Sequence, residues 1–125
     1  FEVTEKLVEA IGSNKFDAII CNYANCDQVG HTGKFDASVK AVEAIDLCLA
    51  QVIAATEQAG GEILITADHG NDPTWPGTDH TRERVPVLVH GIGDAPLGHL
   101  AFSDVAASIA DHLSVPYRGA GKSFL

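Results

Sequence analysis

No apolar run in the sequence approaches the roughly 18 residues that a membrane-spanning helix requires, and no secretory signal stands out. The expectation is therefore a cytoplasmic chain with no membrane partner. Positive charge is scarce: 8 lysines and arginines face 17 aspartates and glutamates, a formal charge of −9 that repels nucleic acid and anionic membrane and leaves no basic patch. The same imbalance is awkward for a phosphorylated substrate, unless metal ions supply the positive charge or the cationic groups lie elsewhere. Cysteine is sparse and unpatterned. Cys21, Cys26 and Cys48 are odd in number and show no C-x-x-C spacing, which excludes a disulfide framework and reads as reduced thiols packed in or near the core, Cys26 being at most a weak competitor for metal. Internal repeats, low-complexity tracts and linkers are missing too. What remains is a chain of 125 residues, 46% apolar, of a size for a single domain with one core.

Periodicity supplies the elements. Residues 1–11 carry Val3, Leu7, Val8 and Ile11 at helical spacing and stop at Gly12-Ser13-Asn14. The compact apolar run Ala18-Ile19-Ile20-Cys21 reads as a strand, and residues 36–59, with Val39, Val42, Ile45, Leu49, Val52 and Ile53 on one face, read as the main helix, ended by Gly60-Gly61. A second strand follows at 63–67, so residues 17–67 predict a βαβ unit with parallel strands and a right-handed crossover. A third strand is expected at 85–89, entered through Pro86 and near a sheet edge, and Ser103 is the expected N-cap of a last helix through Val105, Ile109 and Leu113. The fold class that follows is α/β, a mostly parallel sheet flanked by helices.

The chemistry gathers at the ends of these strands. Asp68-His69 closes the apolar run from Ile63, Asp27 and His31 follow the first strand four residues apart with Gly30 between them, and His80 lies in a polar loop rich in Pro, Gly and Asp. Each piece alone has an ordinary reading: an Asp-His pair caps helices and turns, Asp27 forms turns, and His31 decorates surfaces. Together, at the carboxyl ends of strands where α/β sheets place ligands, they point to a two-metal site. Carboxylate oxygen mixed with imidazole nitrogen, without thiolate, suits Mn²⁺ or Zn²⁺ rather than a structural zinc knuckle. His90, at a strand end, His99, in a Gly-rich loop, and His112, in a helix, read as ordinary histidines.

Two stretches carry a resemblance. Ile20-Cys21-Asn22-Tyr23-Ala24-Asn25, Asp27-Gln28-Val29-Gly30-His31-Thr32-Gly33 and Ile65-Thr66-Ala67-Asp68-His69-Gly70-Asn71 make residues 1–71 similar to the C-terminal part of cofactor-independent phosphoglycerate mutase. Asp72-Pro73-Thr74-Trp75-Pro76-Gly77-Thr78-Asp79-His80-Thr81-Arg82-Glu83 and the ending Gly121-Lys122-Ser123-Phe124-Leu125 make residues 72–125 resemble phosphopentomutase. Both families belong to the alkaline phosphatase superfamily. The resemblance implies the C-terminal portion of that superfamily's core without its cap domain, and the change of family implies a chimera with a seam near 67–71 or a divergent member.

Carried over residue by residue, the resemblance implies that Asp27, His31 and His80 bind one Mn²⁺ and that Asp68 and His69 are two ligands of a second. The families' other ligands of that second ion, an early aspartate and the nucleophilic serine or threonine, match nothing here; Ser13 and Ser38 stand in no matching motif, so no catalytic residue is assigned. In the families a metal-activated hydroxyl takes up a phosphoryl group and returns it to another oxygen of a phosphorylated small molecule. The implied reading is one complete Mn²⁺ site on a phosphomutase portion that is inactive alone. Two rivals stand beside it, a small phosphatase using activated water and a non-catalytic structural or engineered fragment. A sheet edge left uncovered would also favour self-association.

Overall fold

The computed structural model describes residues 1–93 and 96–125. Along these the chain forms α1 (Glu2–Gly12), α2 (Asn25–Gly30), α3 (Phe35–Gln58), β1 (Ile63–Thr66), β2 (Val87–His90) and α4 (Phe102–His112). Two compact units are resolved, Phe1–Gly91 and Ile92–Leu125.

In the first unit α3 is the spine. Its sequence lacks Gly and Pro throughout, and it stops where Gly60, at φ +67°, takes a left-handed turn that lets the amides of Gly60 and Gly61 return to the carbonyls of Glu57 and Thr56. The line Ala41, Cys48, Val52 and Thr56 is buried, and α1 and α2 both pack on this helix. Val39 and Val42, expected on the buried face, are exposed, because the buried stripe runs through the smaller residues one position away. Thr4, fully covered on α1, shares a 2.9 Å hydrogen bond with the Tyr23 hydroxyl and so ties the chain entering α2 to the first helix. The Asn25 side-chain amide donates to the Ala41 carbonyl at 3.3 Å, pinning the start of α2 to α3.

The sheet corrects the expected topology. β1 and β2 pair antiparallel, Ile63 opposite His90 and Thr66 opposite Val87, and they are the two strands of the sheet among the described residues. Residues 18–21 form no strand, so the parallel βαβ unit expected over 17–67 is not made. The physical reason is that a strand exists only as a ladder, and no described strand pairs with this segment; Ile20 is 91% exposed and Cys21 is exposed rather than in the core. The third expected strand forms at Val87–His90, starting two residues later and ending one later than 85–89, just beyond Pro86, whose carbonyl accepts from the Thr66 hydroxyl at 3.0 Å. His90, at its end, pairs with Glu57 at 2.8 Å. Cys26 is half-buried and Cys48 buried, all three thiols are free, and burial pushes the Cys26 thiol up.

In the second unit α4 buries Ala107, Ser108 and Ala110. Its N-cap is Ala101 rather than the expected Ser103. Alanine offers no acceptor, and the capping passes to Asp104, three residues on, whose carboxylate accepts the Ala101 amide at 2.8 Å. The same carboxylate accepts the Lys122 amide at 2.9 Å, and the Ser108 hydroxyl accepts that of Phe124 at 3.0 Å, so the C-terminal tail is strapped along α4. The amides of Lys122 and Ala101, with help from the Lys122 charge, hold the Asp104 carboxyl below the ordinary carboxylate value.

Candidate metal centre

Four of the five candidate residues meet around one oxygen. Asp27 Oδ1 lies 3.0 Å from His80 Nε2, 3.3 Å from His31 Nε2 and 3.6 Å from His69 Nε2, and the Nε2 atoms of His31 and His80 are 3.0 Å apart. Local structure explains the meeting. Asp27 is in the first turn of α2 and His31 caps that short helix, so one helical turn brings both side chains to the same side. His69 arrives three residues beyond β1, and its ring stacks on His80 with centroids 3.8 Å apart.

Asp68 stands outside. Its side chain, in the bend that follows β1, is 86% exposed, and its Oδ1 is 3.8 Å from His69 Nε2. Asp27, His69 and His80 offer donor atoms within 4.8 Å of one another. His69, which the family resemblance gives to a second ion, thus gathers here with Asp27 and His80.

The protonation pattern is set by backbone carbonyls. His31 Nδ1 meets the carbonyl of Thr78 and His69 Nδ1 meets that of Gly70 at 3.2 Å. A carbonyl only accepts, so each neutral ring carries its proton on Nδ1 and turns an Nε2 lone pair toward the Asp27 carboxylate. Two lone pairs and an anion converging at this spacing repel unless a cation or an acidic proton lies among them. His80 Nε2 is 3.0 Å from both Asp27 Oδ1 and His31 Nε2.

The donor set therefore fits a divalent ion on two independent counts. The atoms are the imidazole nitrogen and carboxylate oxygen that borderline ions take. The distances from Asp27 Oδ1 to the three Nε2 atoms, 3.0–3.6 Å, lie near the roughly 3.3–3.4 Å edge of a tetrahedron whose bonds are about 2.0–2.1 Å long, and the donor atoms of Asp27, His69 and His80 lie within 4.8 Å of one another.

Glycines allow the loops to close here. A Cβ on Gly70 would lie 2.5 Å from Glu83 Cβ and 3.2 Å from its Cα, so the chain after His69 passes the returning segment at backbone contact. At Gly30 the obstacle is the tip of the Asn71 amide, 2.8 Å away. The loop that brings His80 is also tied internally. Asp72 Oδ1 accepts both the amide and the hydroxyl of Thr74, which hold its carboxyl below the ordinary value, and the Asp72 amide donates to the Thr81 hydroxyl at 2.6 Å. Gly77 runs close under the Trp75 indole, where an added Cβ would be 3.0 Å from Nε1. Neither this clasp nor the Thr78 carbonyl shows in the residue types that suggest metal ligands; the Asp72-Pro73-Thr74 spacing of an Asx turn is the signal for the clasp.

Comparison with known proteins agrees with the chemistry. The Metalloenzyme superfamily description matches residues 1–117. A 2,3-bisphosphoglycerate-independent phosphoglycerate mutase of Saccharophagus degradans is 55% identical over 92% of this chain and 24% of its own length, and one of Cronobacter sakazakii is 49% identical over 97% of this chain and 25% of its own. Among solved structures, a Leishmania mexicana phosphoglycerate mutase studied at low cobalt concentration superposes with a TM-score of 0.79 at 28% identity, covering 98% of this chain and 27% of that one. The chain spans about a quarter of the length of the curated relatives it matches. These alignments run through 67–71, so one family accounts for both stretches and neither a phosphopentomutase half nor a chimeric seam is supported. No described helix is long and apolar enough to cross a membrane. The α/β architecture, the convergent oxygen and nitrogen donors and the match along most of the sequence agree: the chain belongs to the Metalloenzyme superfamily.

Proposed function

We propose that the chain is the metal-binding C-terminal portion of a cytoplasmic phosphomutase acting on phosphoglycerate, with Asp27, His31 and His80 holding one Mn²⁺ and Asp68 and His69 contributing to a second. The observation that carries the reading is the approach of three imidazole Nε2 atoms to within 3.6 Å of Asp27 Oδ1, with backbone carbonyls turning the lone pairs of two of them inward. The relatives named phosphoglycerate mutase support the substrate class. A bound divalent ion supplies the positive charge that a chain of net charge −9 otherwise lacks opposite a phosphate. This chain's own residues orient that charge: α2 presents Asp27 and His31, the Thr78 carbonyl fixes the His31 ring, and the 72–80 loop delivers His80. No residue here matches the nucleophile of the family, so the portion does not complete a mutase cycle alone.

Calorimetric titration with Mn²⁺, run beside His80→Ala, tests the proposal. Micromolar binding lost in the variant is expected, and heat-silent titrations of both proteins would overturn the metal reading. Turnover of 3-phosphoglycerate by the purified chain, lost in His31→Ala, would overturn its incompleteness. Slow hydrolysis of an aryl phosphate that rises with Mn²⁺ would instead favour a water-using phosphatase. The apolar segment 18–21, which pairs with no strand among the described residues and exposes 91% of Ile20, supports self-association through a strand edge; sedimentation of a clean monomer at tens of micromolar would count against it.

A further inference from the structure

We propose that Asp72 and Thr81 are positioning residues of the metal centre: by clasping the ends of the loop between them they place the Thr78 carbonyl on His31 and bring His80 to Asp27. The inference rests on the metal reading above but concerns residues that touch no donor oxygen or Nε2 atom of the cluster.

Burial contributes little to holding the loop. Residues 74–80 are exposed, and α3, on which α2 leans, ends well before the loop begins. Its internal order comes from Asp72, which acts at both ends. Toward the start, Asp72 Oδ1 accepts the Thr74 amide at 2.8 Å and the Thr74 hydroxyl at 2.6 Å, while the Asp72 carbonyl accepts the Trp75 amide at 3.1 Å. Toward the end, the Asp72 amide donates to the Thr81 hydroxyl at 2.6 Å, closing a loop nine residues long in sequence separation. Both clasp residues are half-buried, unlike the loop they close.

Within the closed loop two positions do site work. Thr78 offers a main-chain acceptor to His31 Nδ1, and His80, two residues on, brings Nε2 to 3.0 Å from both Asp27 Oδ1 and His31 Nε2. A ring whose Nδ1–H is engaged keeps its Nε2 free as a ligand; a ring released from the carbonyl is free to take the other tautomer, with its proton where the ion belongs. Loop closure therefore supplies one ligand and orients the ring of another. Opening the clasp leaves both to be ordered by the ion itself, at a cost in affinity.

The test uses the whole chain with ¹⁵N-labelled histidine. Long-range ¹H–¹⁵N correlation spectra of the metal-free protein report which ring nitrogen of His31 carries the proton, and Mn²⁺ titration reports affinity. Thr81→Val keeps the shape of the side chain and removes the acceptor, whereas Thr81→Ser keeps it. The expected result is an Nδ1–H His31 in the wild type and Thr81→Ser, a tautomer mixture in Thr81→Val, and Mn²⁺ affinity about 10–100-fold weaker in Thr81→Val alone. Asp72→Ala, which loses the Thr74 bonds, is expected to behave like Thr81→Val, and Asp72→Asn, which keeps the acceptor, like the wild type. Circular dichroism of the α1 and α3 helices confirms that each variant is folded. A Thr81→Val chain with the wild-type tautomer would overturn the proposal, as would an Nε2–H His31 in the wild type. Because the tautomer is read without metal, a wild type that binds no Mn²⁺ would refute the functional proposal while leaving the clasp to be decided by the spectra.

Discussion

Asp27 and His80 are 53 positions apart in sequence, yet Oδ1 of one and Nε2 of the other are 3.0 Å apart, and two further imidazoles approach the same oxygen. That carboxylate is the charged donor on which the three Nε2 atoms converge. Asp27→Asn keeps the shape and removes the charge. It is expected to weaken Mn²⁺ binding at least 100-fold with no loss of helical signal, measured by calorimetry and circular dichroism.

The two glycines beside the site are expected to differ. At Gly70 a methyl group meets the Cβ and backbone of Glu83, which yield only if the loop shifts, so Gly70→Ala should cost about 1–3 kcal/mol and weaken metal binding. At Gly30 it meets the end of the Asn71 side chain, which swings away at little cost. Urea unfolding and Mn²⁺ titration of the pair measure the contrast; equal losses would show that the Glu83 contact is not what limits the loop.

The α1 to α3 packing is the core of the first unit. Val52, 4% exposed, loses two carbons in Val52→Ala, and the transfer and cavity terms together predict about 2 kcal/mol. Thr4→Val, which strands the Tyr23 hydroxyl, should cost about 1 kcal/mol. Denaturant midpoints at constant m-value check both.

Asp104 carries a pH dependence whose sign is fixed. Its carboxyl is held below the ordinary value by the Lys122 and Ala101 amides, so its contribution is fully present above the unfolded carboxylate range and is lost as pH falls through the depressed folded value. Thermal unfolding of the wild type and Asp104→Ala across pH should show a gap at neutral pH that closes in acid. A gap independent of pH would assign the stabilisation to something other than the carboxylate.

Much of this was legible in the sequence, and what was not has a physical reason. The helix of Phe35–Gln58 declares itself by an unbroken 3.6-residue period and a terminating glycine, both local properties. That Asp27, His31, Asp68, His69 and His80 stand after apolar runs or in a polar loop is legible in the sequence, which does not show that His69 approaches Asp27 and His80 while Asp68 stays outside. Residues 18–21 look like a strand by composition, but a ladder needs a second backbone, which no property of the segment itself provides. The placing of Asp68 outside the cluster turns on the conformation of the bend after Thr66, which residue type does not reveal. The Thr78 carbonyl was invisible for a simpler reason: every residue has one.

The loop that delivers His80 holds the sequence's one tryptophan, Trp75, 56% exposed and lying against Gly77. The chain thereby carries a built-in optical probe at the segment whose position matters most. Its emission and anisotropy report loop closure in real time, so stopped-flow mixing with a spectroscopically silent cation can separate ion capture from loop ordering without any added label.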